Sequence, residues 1–495
     1  MTQDKQKIAI IGSGVAGLAA AVRLAARGHQ VSVFEKNAFP GGKLSEIRAG
    51  NYRFDAGPSL FTMPQWVDEL YEMVGMEASD HFNYHRLDTL CKYYWENGKE
   101  LEFYADLDKT GKVISQKFGE APDALHRYLS KSRKKYKLAG EIFLKKPLNQ
   151  LNTWFNRDVA KALTYIFGYD LFRSMDKTNK SAFKSPELIQ LFNRYSTYNG
   201  SDPYRSSGMF SMIPHIEMDM GAWAPEGGMI AITKSLHDLG IKLGVKYHFN
   251  SEATKILHNN NSVTGLKVNG EKYDFDIVVS NMDISLTYEK LLSEIKMPKS
   301  IKYEERSSSG FIFYWGIKGE FPELDVHNII FSSDYKAEFD AIRNNKIPDN
   351  PTIYINVTSK YHPPDAPEGC ENWFVMINTP SDTGQDWSKV REMLRKKITS
   401  KLSEILDRDI KSLIEIEEVL DPTSIASRTL SADGALYGSS SNSMWAAFLR
   451  HSNKHTKIKG LYLCGGSVHP GGGIPLCLSS ARIVDDLIHQ DLSKS

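Results

Sequence analysis

The segment KIAIIGSGVAGLAAAVRLAARGHQVSVFEK, residues 7–36, constrains the fold more than any other stretch of the chain. It reads as an apolar strand, a tight turn, a helix and a second strand, with Gly12, Gly14 and Gly17 in GxGxxG spacing. In this motif the first glycine permits a sharp turn, the second lets the backbone approach a diphosphate, and the third permits close helix-to-strand packing. The free N–H groups and positive dipole end of such a helix attract anions. The segment therefore predicts an α/β fold with a Rossmann-like dinucleotide site.

The residues after this motif favour FAD over NAD as the dinucleotide. Glu35 ends the second strand about 20 residues beyond the glycines, where a carboxylate accepts hydrogen bonds from ribose hydroxyls. The chain then continues as the loop NAFPGGKLSEIRAGNYRFDAGPSLFTMP, whereas a nicotinamide dehydrogenase would continue through another crossover helix. Gly42 and Lys43 in this loop suit further contact with the cofactor, and FDAGPS (54–59) returns the chain to the same place.

A second glycine-rich segment, CGGSVHPGGGIPLCLSSAR, lies between an apolar strand and an apolar-faced C-terminal helix. Pro475 suits the first turn of that helix, and the glycines let the backbone come close to a flat ring. A helix N-terminus beside a flavin would stabilise the negative charge that develops when the ring accepts a hydride. We therefore predict that Gly465, Gly466, Gly473 and Ile474 contact the flavin.

Five segments occur in an order that resembles one family. They are GSGVAGLAAAVRLAARGHQVSVFEKNAFPGGK, FDAGPSLFTMP, APEGGMIAITKSL (224–236), DIVVSNMD (276–283) and LYLCGGSVHPGGGIP (461–475). Together they resemble the bacterial-type carotenoid desaturases, which are related to phytoene desaturase and belong to the amine-oxidase-like superfamily. The resemblance implies a Rossmann-like FAD-binding domain, discontinuous in sequence, and a substrate-binding domain of sheet plus helices.

The cofactor contacts that follow from the loops and from the resemblance form one set. Two of them, Ala253 near the adenine and Asn281 after a returning strand, come from position in the family, and ordinary sheet packing explains them equally well. The full set of predicted FAD contacts is Gly12, Gly14, Ala16, Gly17, Glu35, Gly42, Lys43, Pro58, Ser59, Leu60, Ala253, Asn281, Gly465, Gly466, Gly473 and Ile474.

The resemblance implies an oxidation of carbon, with one hydrogen leaving as a hydride to the flavin and another as a proton. Because the cofactor performs the difficult step, no prominent acid or base is required. His469, Glu226 and Asp433 lie in loops that resemble active-site segments, but we assign no catalytic residue. The four cysteines have no CxxC spacing, so we predict free thiols and no metal site.

The last loop bears on the substrate. Phytoene desaturases of this family resemble VGAGTHPGAGVPGV there, whereas this chain has CGGSVHPGGGIPLC. The departures at Ser467, Val468, Gly473, Leu476 and Cys477 are closer to the 1′-hydroxycarotenoid 3,4-desaturase subgroup. Phytoene desaturation, a flavin amine or protoporphyrinogen oxidase, and a non-enzymatic isoprenoid carrier of the GDP-dissociation-inhibitor type stay open as alternatives.

The pattern of elements divides the chain into two discontinuous domains. We predict a FAD-binding domain from residues 1–79, 221–300 and 415–495, and a substrate-facing or membrane-facing domain from 80–220 and 301–414. Residues 80–220 are mostly helical by pattern, Asn269-Gly270 marks a hairpin turn, and apolar runs at 309–319, 352–359 and 372–380 predict the sheet of the second domain.

The resemblance implies a carotenoid substrate, and the charge pattern bears on two other partners, nucleic acid and a membrane surface. A balance of 61 Lys+Arg against 60 Asp+Glu gives no general attraction for nucleic acid. The run at residues 8–26 resembles a secretory signal, but Arg23 and Arg27 interrupt it, and we predict a cytoplasmic protein. The basic, aromatic segment 130–172, with charges at Lys134, Lys135 and Lys145, suits peripheral binding to the inner face of the cell membrane. A solvated charged surface beside a core helix explains that segment as well.

Overall fold

The computed structural model describes residues 5–148, 150–155, 157–443 and 450–494. Its strands, in chain order, are β1 (Lys7–Ile11), β2 (Gln30–Phe34), β3 (Ser45–Ala49), β4 (Tyr52–Ala56), β5 (Tyr84–Arg86), β6 (Thr89–Tyr94), β7 (Glu100–Tyr104), β8 (Trp223–Pro225), β9 (Lys246–His248), β10 (Ala253–Asn259), β11 (Ser262–Val268), β12 (Glu271–Asp274), β13 (Ile277–Ser280), β14 (Ser309–Lys318), β15 (His327–Ile330), β16 (Ile353–Val357), β17 (Cys370–Thr379), β18 (Ile414–Leu420) and β19 (Leu461–Leu463).

The helices fall into a longer and a shorter group. Those of at least eight residues are α1 (Val15–Ala26), α2 (Gln65–Glu72), α3 (Leu107–Phe118), α4 (Ala124–Lys135), α5 (Pro186–Asn193), α6 (Ile230–Lys242), α7 (Tyr335–Arg343), α8 (Trp387–Leu406), α9 (Pro422–Thr429) and α10 (Ile474–Leu492). Shorter helical segments are Glu141–Lys145, Leu151–Trp154, Arg157–Leu163, Met175–Lys180, Ile284–Leu286, Lys299–Lys302 and Ile410–Leu413.

A five-stranded parallel sheet in the order β19-β13-β1-β2-β9 forms the first layer. Strands β1 and β13 are short apolar runs buried on both faces, as parallel strands covered by helices must be. The small side chains of α1 allow close packing against α6 and α10, and this packing forms one large core cluster. The strands come from the beginning, middle and end of the chain, and the predicted Rossmann-like α/β fold is confirmed.

A seven-stranded mixed sheet in the order β18-β14-β17-β16-β15-β6-β7 forms the second layer. The predicted strands at 309–319, 352–359 and 372–380 correspond to β14, β16 and β17, and α8 covers a core of aromatic and aliphatic side chains behind them. The small sheet β10-β11-β12 turns at Asn269-Gly270, where both residues have positive φ (48° and 93°). That geometry is the hairpin turn that the sequence predicts.

Two segments differ from the sequence-based expectation. Strands β5, β6 and β7 lie at the start of the stretch 80–220, which the pattern predicts to be mostly helical. Strand β18 pairs with β14 in the mixed sheet, although most of its residues fall in the stretch predicted for the FAD-binding domain. In both cases pairing with a strand distant in sequence decides the outcome, since β6 pairs with β15 and β18 with β14.

Candidate functional site

The first glycine motif forms an open turn at the start of α1. Gly12 has a positive φ of 90°, and its N–H donates to the carbonyl of Phe34 at 2.8 Å. A Cβ atom on Gly17 would clash with the carbonyl oxygen of Gly12, so the third glycine serves the packing of the helix on the strand. A Cβ on Gly14 would meet only the amide nitrogen of Asn281, at 3.0 Å. The space in front of the helix N-terminus is therefore open for an anionic group.

Glu35 lies buried at the edge of this turn. One of its carboxylate oxygens accepts from the backbone N–H and the hydroxyl of Ser13, both at 2.9 Å. The other accepts from the N–H of Asn37, also at 2.9 Å. A carboxylate has about four lone-pair sites, so Glu35 retains acceptor capacity for a ribose hydroxyl while it holds the glycine turn in place.

The loop that carries Gly42 and Lys43 closes over the same turn. The N–H of Gly41 donates to the carbonyl of Ser13 at 2.9 Å, and a Cβ on Gly42 would lie 3.3 Å from the Cα of Gly14. The Lys43 ammonium donates to the backbone carbonyls of Ala435 and Leu436, at 3.2 and 2.6 Å. Burial lowers the pKa of Lys43. This lysine thus joins the cofactor loop to the segment before the C-terminal strand.

The second glycine segment places the N-terminus of α10 opposite the first loop. Gly473 precedes the helix with a φ of 111°, and a Cβ there would meet no described atom within 4 Å. Asn281 lies between the two loops: its amide nitrogen donates to the carbonyl of Gly12 at 3.4 Å, and its amide oxygen would lie 2.5 Å from a Cβ on Gly465. Two helix N-termini therefore open toward one space.

One cavity of about 460 Å³ brings most of the predicted residues together. All predicted cofactor residues line it except Gly17 and Gly465, which pack behind its wall. The open turns at Gly14 and Gly473, the acceptor at Glu35 and the absence of a described atom in front of Gly473 fit a dinucleotide that carries a flat ring. The residues present therefore fit FAD.

The three loop residues considered for acid–base chemistry do not line this cavity. His469 is buried, its Nε2 atom lies 2.9 Å from the carbonyl of Lys146, and burial lowers its pKa to about 4. Glu226 is exposed, and the exposed Asp433 pairs with Arg306 at 3.3 Å. We assign none of the three to the reaction.

The cavity continues onto the face of the mixed sheet, where it meets two polar clusters. Sequence reasoning named Ser59, as a FAD contact, and missed the other members of both clusters. In one, Ser59, Tyr354 and His327 form a hydrogen-bonded row. In the other, the guanidinium of Arg194 is paired with Glu217 at 3.0 Å. No local sequence motif predicts that either cluster forms, because the packing of the sheet and its helices joins residues that are far apart in sequence.

The remaining wall of the cavity on the sheet side is largely apolar. The side chains that the cavity shares with the sheet and its neighbouring helix include Leu90, Ile312, Ile329, Phe374, Met376, Leu420 and Ile425. Burial raises the pKa of Cys477, beside the second loop, to about 11, so this thiol stays protonated and neutral. Among the described residues, no group of three or more His, Cys, Asp or Glu side chains has the arrangement of a metal site.

A group of exposed apolar side chains lies between Trp154 and Phe172, in the segment that follows the short helix Glu141–Lys145. The exposed fractions are 46% for Trp154, 89% for Phe155, 51% for Leu163, 92% for Phe167 and 81% for Phe172, and we call these residues the aromatic patch. The short helix Glu141–Lys145 contacts α10, because the hydroxyl of Ser479 in α10 donates to the carbonyl of Leu144. No helix in the described ranges is long and apolar enough to cross a membrane.

One of the three lysines assigned to this surface is not on it. Lys135 is buried; its ammonium pairs with Asp170 at 2.7 Å and donates to the hydroxyl of Ser211 at 2.7 Å. Lys134 is exposed, and Lys145 is partly exposed. Lys135 lies on the side of α4 that packs against the rest of the protein. A run of basic residues does not by itself show which side of a helix is buried.

Comparisons with known proteins agree with this geometry. Residues 15–486 match the family model described as flavin containing amine oxidoreductase. The chain is 51% identical over 484 residues to a 1-hydroxycarotenoid 3,4-desaturase of Flavobacterium sp. (strain P99-3), with 98% of this chain and 99% of that protein covered. It is 29% identical to a zeta-carotene-forming phytoene desaturase of Myxococcus xanthus, with 97% and 93% covered. The solved structure of a cyclohexylamine oxidase from Brevibacterium oxydans is similar in fold, with a TM-score of 0.62, 13% identity and coverage of 99% and 100%.

Proposed function

The chain belongs to the flavin containing amine oxidoreductase family, and from this premise we propose that it is a carotenoid desaturase that forms the 3,4 double bond of a 1-hydroxycarotenoid. The predicted flavin, family and amine-oxidase-like fold are confirmed, and the protein is a FAD-dependent oxidoreductase. One observation carries the substrate proposal, namely 51% identity over nearly the whole of both chains to a protein with that activity.

The residues of the cavity suit the binding of FAD in one orientation. We assign the diphosphate to the N-terminus of α1 at Gly14, the ribose to Glu35, and the flavin ring to the N-terminus of α10 at Gly473 and Ile474. Helix N-termini offer unpaired N–H groups and a positive dipole end, and both of these helices open into the cavity. Ala253 and the other predicted contacts that line the cavity complete its walls, and Gly17 and Gly465 lie behind them.

When bound, FAD supplies the acceptor for a hydride taken from a saturated carbon beside the polyene. The protein's part is to orient and to exclude water. The N-terminus of α10 directs its N–H groups and positive dipole end into the cavity, and this end stabilises negative charge beside it. The apolar side chains on the sheet face, Ile312, Phe374 and Met376 among them, keep water from the reacting bond.

The test of this function is the reaction of the purified yellow protein with several substrates in liposomes. We expect a 1-hydroxycarotenoid to bleach the flavin without oxygen and to yield a product that lacks two hydrogens and absorbs at longer wavelength. Reaction with phytoene alone would replace the proposal with an early-pathway desaturase, and reaction with an amine alone would replace it with an amine oxidase. A colourless protein that binds isoprenoids would indicate a carrier.

We also propose that the aromatic patch binds the inner face of the cell membrane, from which a carotenoid would enter the cavity. Phe155, Phe167 and Phe172 are each more than four-fifths exposed, and an exposed apolar surface next to basic side chains suits the boundary between headgroups and acyl chains. Co-sedimentation with anionic vesicles tests this, using Lys134→Glu and Lys145→Glu to remove surface charge. Unchanged binding of the double variant together with a Phe167→Ser change would contradict it.

The division into domains is also a proposal. The parallel sheet draws on residues before 79, between 221 and 300, and after 415, in keeping with the predicted FAD-binding domain. We move β18 to the second domain because it pairs with β14. Limited proteolysis tests this division, since a β18 that belongs to the mixed sheet should stay protected together with β14 when FAD is removed.

A further inference from the structure

A row of three polar side chains interrupts the apolar face of the mixed sheet where it meets the cofactor loops. The Ser59 hydroxyl lies 2.7 Å from the Tyr354 hydroxyl, which lies 2.7 Å from Nδ1 of His327. All three residues line the cavity, with apolar Ile329 and Phe374 beside them. A polar row in an apolar wall is costly unless it has a partner, because each buried polar group needs a hydrogen bond.

The directions of these hydrogen bonds follow from Asn356. Its amide nitrogen donates to the carbonyl of Val326 at 2.9 Å and also lies 3.3 Å from Nδ1 of His327. An amide NH₂ only donates, so Nδ1 is the acceptor and the ring proton is on Nε2. The Tyr354 hydroxyl therefore donates to Nδ1, and its own oxygen accepts the proton of Ser59.

This direction leaves the Ser59 oxygen as an acceptor without a second partner among the described residues. Burial and the positive charge of Arg194 hold the pKa of His327 at about 3, so the ring stays neutral and the row keeps its direction at physiological pH. The other polar cluster differs, because the N–H groups of Arg194 already donate to Glu217, Tyr93 and Tyr198. Of these two clusters, the Ser59 row is therefore the one with an open hydrogen-bonding position among the described residues.

The place of Ser59 suits a group close to the reacting bond. Gly57, two residues earlier, packs so tightly on the carbonyl of Lys43 that no Cβ would fit there. Ser59 is thus held beside the loop that carries Gly42 and Lys43. In a 1-hydroxycarotenoid the hydroxyl carbon is only two carbon–carbon bonds from C3, so a group that binds this hydroxyl must lie next to the flavin and not at the far end of a tunnel.

We propose that Ser59, oriented by Tyr354 and His327, accepts a hydrogen bond from the substrate hydroxyl and thereby selects hydroxylated carotenoids over hydrocarbons. This inference rests on the proposed function and deepens it. Tyr354 and His327 act as positioning residues, since they fix the proton of Ser59 away from the cavity. A hydrocarbon end group leaves the Ser59 oxygen without a hydrogen-bond donor. Polar sites reject analogues in this way, because a buried polar group of the protein is left unpaired.

The test compares three ligands that differ at one atom or group: the 1-hydroxycarotenoid, its 1-deoxy analogue and its 1-methoxy ether. The ether accepts hydrogen bonds but donates none, so it distinguishes an acceptor on the protein from a donor. Dissociation constants from quenching of protein fluorescence give a readout that does not require turnover. For the wild-type protein we expect the hydroxylated ligand to bind about ten- to a hundredfold more tightly than either analogue.

The variant Ser59→Ala should bring the three dissociation constants within about threefold of one another. The ratio of kcat/KM for the hydroxylated substrate to kcat/KM for each analogue should fall by the same factor. The ratio is independent of the fraction of protein that carries flavin. Tyr354→Phe should restore binding of the ether, because the freed Ser59 proton can then point into the cavity. Thr197→Val is the matched control, since its hydroxyl donates to the carbonyl of Arg194 instead of to this row, and it should keep the wild-type ratios.

The outcomes distinguish failure of the proposed role of Ser59 from failure of the proposed desaturase function. Equal binding of the three ligands by wild-type protein, or a preserved preference in Ser59→Ala, would overturn the role of Ser59 while desaturation of the hydroxylated substrate continued. Tight binding of the ether by wild-type protein would overturn the direction of the hydrogen bond. Failure of wild-type protein to desaturate any hydroxylated carotenoid would instead overturn the proposed function.

Discussion

Replacing Gly14 with alanine should weaken FAD binding strongly without unfolding the protein. The backbone of Gly14 is extended, with φ of −65° and ψ of 168°, a conformation that alanine adopts freely. Its new Cβ would approach only the Asn281 amide, at 3.0 Å, and a shift of a few tenths of an ångström relieves this contact. Loss of a favourable N-cap adds about 1 kcal/mol of destabilisation.

The same methyl group would occupy the space in front of the α1 N-terminus, where we place the diphosphate. Loss of two hydrogen bonds to a charged group, at about 1.5–3 kcal/mol each, corresponds to roughly 3–6 kcal/mol. We therefore expect the dissociation constant for FAD to rise about 10²- to 10⁴-fold. Titration of the apoprotein with FAD, followed by flavin fluorescence, measures this change, and thermal unfolding of the apoprotein measures stability.

Two other glycine variants serve as controls that separate an effect on FAD affinity from an effect on stability. Gly17→Ala forces a Cβ against the carbonyl oxygen of Gly12, so the apoprotein itself should lose about 1–3 kcal/mol or more. Gly28→Ala imposes backbone strain at φ of 89° with no described atom near its Cβ, so it should lower stability and leave FAD affinity unchanged. Wild-type FAD affinity in a folded Gly14→Ala protein would refute the assignment, as would an equal loss of affinity in Gly28→Ala.

Three further perturbations test the other assignments. Glu35→Gln should cost about 1–3 kcal/mol in thermal unfolding and weaken FAD binding, because the amide NH₂ would face a backbone N–H that now donates to a carboxylate oxygen. Phe167→Ser should weaken vesicle binding by about ten- to a hundredfold, since burying a phenylalanine contributes about 1.5–3 kcal/mol; the aromatic Tyr303, which is also exposed and lies outside the patch, is the control, and its change to serine should have no effect. Burial, with the charge of Lys457, lowers the pKa of His455 to about 4, so the stability from its neutral form is lost as pH falls below 6.5, by about 2 kcal/mol at pH 5. His455→Asn, which keeps an acceptor for two backbone N–H groups, should flatten that dependence in urea unfolding at pH 5 and 7.

Each of these perturbations has an outcome that contradicts its reasoning. An unchanged unfolding temperature of Glu35→Gln would mean that the carboxylate does not hold the glycine turn. Equal losses of vesicle binding for the Phe167 and Tyr303 variants would indicate non-specific adhesion instead of a patch. A pH dependence of His455→Asn as steep as that of the wild-type protein would assign the loss of stability to other groups, such as His327 and His469, whose pKa values burial also lowers.

The local chemistry of the chain was sufficient to predict the dinucleotide turn and the hairpin at Asn269-Gly270. Both depend on residues within a few positions of one another: glycines that admit positive φ or close approach, and an apolar strand on either side. The position of Glu35 beside the turn also follows, because β1 and β2 are adjacent parallel strands joined by one helix. The two glycine-rich loops were likewise predicted to meet one cofactor, and the structure brings their residues to one cavity.

Other features depend on contacts between residues distant in sequence. The strands β6 and β7 and the membership of β18 in the mixed sheet arise from pairing that no local propensity specifies. Lys135 is buried because α4 packs with that side inward. The row of Ser59, Tyr354 and His327 exists because β15 pairs with β16 and because the loop after β4 brings Ser59, 295 positions from Tyr354, to the same wall. The sequence determined by itself the glycine turns and helix starts that open into the cavity, because their chemistry is local. Tertiary structure alone decided which polar groups face the cavity, because the direction of a side chain on a sheet depends on its partners.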